Sequence, residues 1–155
     1  MRIEEAFVVN APRERVWGFF DHEVERVARC MPGVEAVQPL GEARYRVRMT
    51  QRLGFLTATF DLVLQVEHTE PPRLLEFSGA GRAVRGARGE VRGRNWVELT
   101  EEDGGRTRVA VRAEMTMGGM LGMLGPRFVE ARVREMNTQF ARALSAEIRR
   151  WAAAR

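Results

Sequence analysis

PRFVEARVREMNTQFARALSAEIRRW, residues 126–151, has no Gly or Pro after its first position and repeats an apolar side chain every three or four residues. Val129, Val133, Met136, Phe140, Leu144, Ile148 and Trp151 fall on one stripe, the pattern of a helix that buries a single face. The length predicts about seven turns. Glu130 and Arg134 form an i, i+4 pair of favourable orientation on the wet side. A helix so long and so one-sided needs an extended apolar surface to lie on, and the preceding residues supply one.

Strict two-residue alternation fills the middle of the chain. Arg44, Arg46 and Arg48 oppose Tyr45, Val47 and Met49; Asp61, Gln65 and Glu67 oppose Phe60, Leu62, Leu64 and Val66; Arg108, Arg112 and Glu114 oppose Val109, Val111, Ala113 and Met115. Each strand then has one wet and one dry face, as in an antiparallel sheet covered on one side. Turn signals stand at residues 39–42, at Glu70-Pro71-Pro72 and at Asp103-Gly104-Gly105, the last a strong hairpin signal. Residues 2–10 read as a first strand stopped by Ala11-Pro12. Pro12 suits the first turn of a short helix carrying Val16, Trp17, Phe19 and Phe20. Asp21 is the expected N-cap of a second helix, residues 22–31, ended by Pro32-Gly33. The expectation is one α+β domain over residues 1–155: a curved antiparallel sheet of seven strands wrapped around the long C-terminal helix, with two short helices after strand one.

Composition narrows the function classes. Cys30 is the sole cysteine, which excludes an internal disulfide framework and fits a reducing cytoplasm. No signal-peptide layout and no run of 18 apolar residues is present, so the expected location is cytoplasmic, with peripheral contact at the inner membrane face as an extension. All 25 basic residues are arginine, and the net charge is +4. Residues 82–94 hold five arginines (Arg82, Arg85, Arg88, Arg92, Arg94) against one acid, Glu90, and so carry the whole excess. Interleaved with glycines 81, 86, 89 and 93, the window reads either as a solvated hairpin or as a basic ribbon for phosphates, an anionic membrane or an acidic protein face.

Residues 115–125 carry no charge, and eight of the eleven are Met or Gly. The stretch is too short to span a bilayer, and glycines 118, 119, 122 and 125 argue against strand or helix. Unbranched thioethers on a pliable backbone suit an apolar loop that lines or gates something; the competing reading is a connection whose methionines fill gaps in the core.

The order of elements resembles the helix-grip, START/Bet v 1-like ligand-binding superfamily. Within it, Asn10-Ala11-Pro12 with Val16-Trp17 and Phe20-Asp21, then Cys30-Met31-Pro32-Gly33-Val34, then the Gly- and Leu-rich passage into the last helix resemble the G-subunit family of carbon monoxide dehydrogenase. The resemblance implies an apolar cavity under the long helix that takes a lipophilic ligand, a quinone or lipid, with no covalent cofactor. It implies an accessory role to a molybdenum-containing dehydrogenase, whose subunits would be partners. The inward phases then nominate Phe60, Leu62, Phe77, Met115, Met117, Leu121, Leu124, Phe128, Met136 and Phe140 as lining residues, each of them core by default. Tyr45, Asn95 and Asn137 are polar groups on the same dry faces, able to orient a ligand's carbonyl oxygens or to satisfy local backbone.

The inventory for catalysis by this chain alone is poor. There is no lysine for a Schiff base or a P-loop, and Ser78 and Ser145 sit in no nucleophile elbow. His22 and His68 are far apart, His22 reading as a surface residue at a helix start, and Cys30 has no partner cysteine. A polyketide cyclase-like or other ligand-processing enzyme of the same superfamily is the alternative reading. Nucleic acid is disfavoured, because Trp96 shares the outer phase with Arg92 and Arg94 as an isolated ring rather than a stacking platform.

Overall fold

The alternation read from the sequence becomes a single curved sheet in the computed structural model, which describes residues 1–154. The elements are β1 (Arg2–Val9), α1 (Arg13–His22), α2 (Val24–Arg29), β2 (Val34–Gly41), β3 (Arg44–Leu53), β4 (Leu56–Glu70), β5 (Leu74–Gly86), β6 (Gly89–Glu102), β7 (Arg106–Gly118), α3 (Gly119–Gly122) and α4 (Pro126–Ala153). All seven strands are antiparallel, in the order β1-β7-β6-β5-β4-β3-β2. The register puts the dry residues opposite one another: Tyr45, Val47 and Met49 of β3 face Leu64, Leu62 and Phe60 of β4, and Asn95 of β6 lies between Phe77 of β5 and Ala113 of β7. A slip of one residue would turn these sets outward, so burial of one face fixes the pairing.

Three local expectations are corrected. Asp21 does not cap the second helix. Helix α1 continues through it to His22, whose Nδ1 lies 3.1 Å from the Gly18 carbonyl, so His22 ends a helix rather than starting one. Helix α2 begins at Val24 with no side-chain cap. Pro39 is not a turn residue but lies inside β2, an edge strand where a missing N–H is tolerated. The turn is Glu42-Ala43, both at positive φ (56° and 57°), the backbone that a two-residue hairpin requires. Finally, residues 115–118 are not loop: β7 runs to Gly118 and a single helical turn, α3, follows. The glycines permit this because Gly119 (φ 67°) pairs with Gly89 at a spacing that side chains would obstruct.

Helix α4 packs on the inner face through Val129, Val133, Asn137, Ala141, Leu144, Ile148 and Trp151. Met136 and Phe140, expected on the centre line, flank it half-buried. The base of the molecule is closed by Phe19, which meets Trp151 edge-on at 5.8 Å between ring centroids, with Val16, Leu99, Val109, Leu144 and Ile148 around them. Arg26 of α2 donates to Glu147 of α4 at 2.7 Å, tying the short helices to the long one. Hydrogen bonds from Arg150 and Arg26 hold the Glu147 carboxyl below the ordinary carboxylate range.

Candidate functional site

Of the strands, β1 is the one that α4 approaches most closely. The β3 to β5 side of the curve stands farther from the helix. Leu62, Leu64, Val66, Leu75 and Phe77 face inward there yet remain half-buried. Three glycines lie on the inner phase of the same region. Gly79 pairs with Gly93 and Gly81 with Val91 on the inner face. A Cβ at Gly79 would stand 2.9 Å from Leu64 Cδ2, and one at Gly93 would stand 2.9 Å from the Glu114 carbonyl. The glycines read from the sequence as part of a basic ribbon therefore let Leu62 and Leu64 lie directly on the backbone of β5, while Arg82, Arg92 and Arg94 take the outer face.

The nominated lining residues divide among three apolar groups. Phe60 and Leu121 are buried together, with Leu62, Met117, Leu124 and Met136 packed against them, at the end of the sheet near the β3–β4 turn. Phe77 and Phe140 pack on the basal cluster. Met115 joins Met117 and Leu124 against Ile3, Val129 and Val133. Phe128 is a correction: it is 44% exposed and lies over Gly54 of the β3–β4 turn rather than inside. Its position in the first turn of α4, before the helix reaches the sheet interior, explains the outward placement.

The polar residues lie between these groups. Asn137 is 7% exposed at the centre of the α4 stripe, and its Nδ2 has no hydrogen-bond partner among the described residues. Asn95 and Tyr45 are half-buried on the inner phases of β6 and β3, and Tyr45 stands opposite Leu64 and Pro39 on the far side of the sheet. Glu5 escaped the sequence reading. It shares the phase of the buried Ile3 and Val9 on β1, opposite Val111, and is half-buried. Its signal was the alternation of β1 itself, masked by the Glu4-Glu5 pair, which reads as solvated.

Residues 115–125 are divided by their geometry. Met115, Met117, Leu121 and Leu124 turn inward, whereas Met120 and Met123 turn outward, Met123 being 85% exposed. The arginine window is a hairpin, with Arg82, Arg85, Arg88, Arg92 and Arg94 exposed and Arg94 3.7 Å from Glu76. Trp96 is not an isolated ring, because the Arg112 guanidinium sits 4.1 Å from its centroid. That pair lines an open depression of about 550 Å³ on the outer face, together with Leu74, Glu98 and Arg108. Its rim of mixed charges does not suit a lipophilic guest, and the inner face is the better candidate.

A family model described as the G subunit of carbon monoxide dehydrogenase (CoxG) matches residues 6–149. The chain belongs to the CoxG family. A conserved protein from Geobacillus kaustophilus has a similar structure, with a TM-score of 0.84 at 17% identity over 97% of this chain and 96% of that one. A START superfamily protein from Mycobacterium smegmatis is similar at a TM-score of 0.70 and 11% identity, over 96% and 97% of the two chains. The Zhui aromatase/cyclase from Streptomyces sp. R1128 is similar at 0.67 and 19%, over 97% and 94%. These likenesses define the START/Bet v 1-like fold. Comparison with curated proteins by sequence finds no match.

In this CoxG family member the Cys30-Met31-Pro32-Gly33-Val34 segment is a structural joint. Gly33 at φ 86° presses its backbone against β3, where Thr50 N–H donates to the Gly33 carbonyl at 2.9 Å. Buried Gln51 donates to the Pro32 carbonyl at 2.5 Å and accepts from Arg132 of α4 at 3.1 Å. Sequence reading missed Gln51 and Arg132, because polar residues in strand and helix phases read as wet until a partner is known.

Titratable groups elsewhere are engaged at the surface. Asp61 accepts both arms of Arg48, which holds its carboxyl below the usual range. His68 lies 2.8 Å from Glu70. Among the described residues no group of three His, Cys, Asp or Glu is placed to hold a metal ion. Cys30 is buried and donates to the Arg26 carbonyl at 3.2 Å; burial, then Glu147, pushes its thiol up to about 11. At about pH 8 its alkylation by iodoacetamide will run about a hundredfold slower than in the urea-unfolded chain, measured by mass spectrometry. Equal rates would mean the thiol is neither buried nor held protonated.

Proposed function

We propose that this domain binds a lipophilic small molecule, quinone or lipid-like, between the sheet and α4, holds it without transforming it, and serves a molybdenum-containing, carbon monoxide dehydrogenase-type oxidoreductase as an accessory. The observation that carries this reading is the Asn137 amide, buried at the centre of an apolar helix face with its Nδ2 unpartnered among the described residues. Buried polar atoms are nearly always paired, and an unpaired one costs about 1–3 kcal/mol. A ligand carbonyl would satisfy it. The half-buried apolar residues of β4 and β5 support the same reading, since they offer apolar contact for a ring or chain. Family membership supports the dehydrogenase connection.

The test is direct. Organic extracts of the purified protein, read by mass spectrometry, are expected to contain a quinone or lipid, and protein stripped of it should take up decylubiquinone saturably at one site. An extract free of both, together with no uptake of decylubiquinone, overturns the proposal.

A further inference from the structure

The two edges of the sheet are protected unequally. Edge strand β2 contains Pro39, shifts register between Val34 and Ala36 and again between Pro39 and Gly41, and packs against α2. Each of these devices keeps a further strand from joining it. Edge strand β1 has none of them. It pairs with β7 from Arg2 to Val9 without a register shift and contains no proline. Helix α4 meets it from the inner face, where Ile3 packs with Val129 and Val133.

The ladder fixes which backbone groups the free side of β1 presents. Met1 and Met115 bond to each other in both directions: the Met115 N–H donates to the Met1 carbonyl at 2.9 Å, and the Met1 ammonium to the Met115 carbonyl at 3.1 Å. Such mutually bonded pairs alternate along an unbroken antiparallel ladder. Ile3, Glu5, Phe7 and Val9 therefore bond to β7, while Arg2, Glu4, Ala6 and Val8 direct their N–H and C=O groups away from the sheet. All four are exposed, Val8 by 45% although it is apolar. Beside Ala6 lies the depression of the outer face. Ala6 and Ala110, opposite each other in the register, form its floor, and Arg108 and Arg112 stand on β7 to either side. Neither guanidinium is ion-paired among the described residues, and the Arg112 Nε is buried there without a hydrogen bond.

We propose that β1 is a dimerisation edge, to which a second copy of this chain adds its own β1 antiparallel about a two-fold axis at Glu5. This is the register that gives every outward N–H and carbonyl of the four residues a partner. It sets the partner's Glu4 opposite Ala6 and the partner's Arg2 opposite Val8. The carboxylate of the partner's Glu4 then overhangs Ala6 and enters the depression between Arg108 and Arg112, and the two-fold repeats the contact with the roles exchanged. In the single chain Glu4 reaches only Arg2, an exposed pair that contributes little. The stem of the partner's Arg2 covers Val8. Backbone pairing alone selects the register, and the charges match in it independently; the notch fits a strand with a carboxylate facing Ala6, and β1 reversed on itself is such a strand. The inner face bears a cost. Glu5, half-buried and without a partner among the described residues, meets its own copy at the axis, where like charges directly opposite are destabilising. The dimer is therefore reversible and concentration-dependent.

The experiment is analytical ultracentrifugation of the full chain over a range of concentrations, which is expected to show a monomer–dimer equilibrium in the micromolar range. Ala6→Pro removes an N–H that the single chain does not use and sets a ring in the path of the added strand. It is expected to weaken association at least about tenfold while circular dichroism and decylubiquinone uptake stay unchanged. Glu4→Arg, a surface change that leaves the backbone alone, should weaken it by a similar factor, and Glu4→Arg combined with Arg108→Glu should restore it. Glu5→Gln should tighten the dimer, an effect of opposite sign that association through another face would not produce. A wild type that stays monomeric up to millimolar concentration, or a dimer that Glu4→Arg and Glu5→Gln leave unchanged, overturns the proposal. Because decylubiquinone uptake is read separately, the ligand reading stands or falls on its own result.

Discussion

Gly33→Val is expected to lower the unfolding free energy by about 3 kcal/mol or more, read as a shift of the urea midpoint at constant slope. Two costs combine. The residue sits at φ 86°, which a β-branched side chain resists. An added Cβ would also meet the Thr50 carbonyl, which is backbone in a central part of β3, and Gln51 Nε2 at 2.8 Å. Neither can yield cheaply, since Thr50 N–H already donates to Gly33 and Gln51 bridges Pro32 to Arg132 of α4. Gly41→Val is the matched control. Gly41 has nearly the same backbone, φ 85°, but nothing stands within 4 Å of a Cβ there. It should lose only the conformational share, about 1–2 kcal/mol. Equal losses at the two sites would show that the joint between α2, β3 and α4 contributes nothing beyond glycine's backbone freedom.

The comparison of these two glycines shows what a sequence discloses and what it withholds. Alternation in residues 44–49, 60–67 and 108–115 disclosed the wet and dry faces of β3, β4 and β7, because strand period depends only on local order. The apolar repeat after Pro126 disclosed α4 for the same reason. Gly33 and Gly41 look alike in sequence, and only β3 packed against one of them separates their roles. Long-range placement also decided the misread residues. Asn137 and Ala141, not Met136 and Phe140, took the centre of α4 because the helix lies toward β1. Phe128 stayed outside because the β3–β4 turn meets it before the interior begins. Gly79, Gly81 and Gly93 became part of the candidate site only once β5 and β6 were paired in register.

Asn137→Leu should separate stability from binding. In ligand-free protein the substitution replaces a buried, unpartnered amide by an apolar group of similar size on a face shared with Val133 and Ala141. Removing a polar atom that has no partner is neutral or stabilising, here by up to about 1–2 kcal/mol. If the amide donates to a ligand carbonyl, the same change removes that bond and leaves the carbonyl buried without a donor. Quinone affinity should then fall at least about tenfold, which corresponds to about 1.4 kcal/mol. Urea unfolding of the stripped protein and decylubiquinone titration read the two effects independently. The opposed signs are what distinguish a ligand-facing amide from a structural one, because a residue that holds the fold together cannot be replaced by leucine at a gain. A variant that loses about 2 kcal/mol of stability and binds decylubiquinone as wild type does would assign Asn137 to packing and remove the observation on which the ligand reading rests.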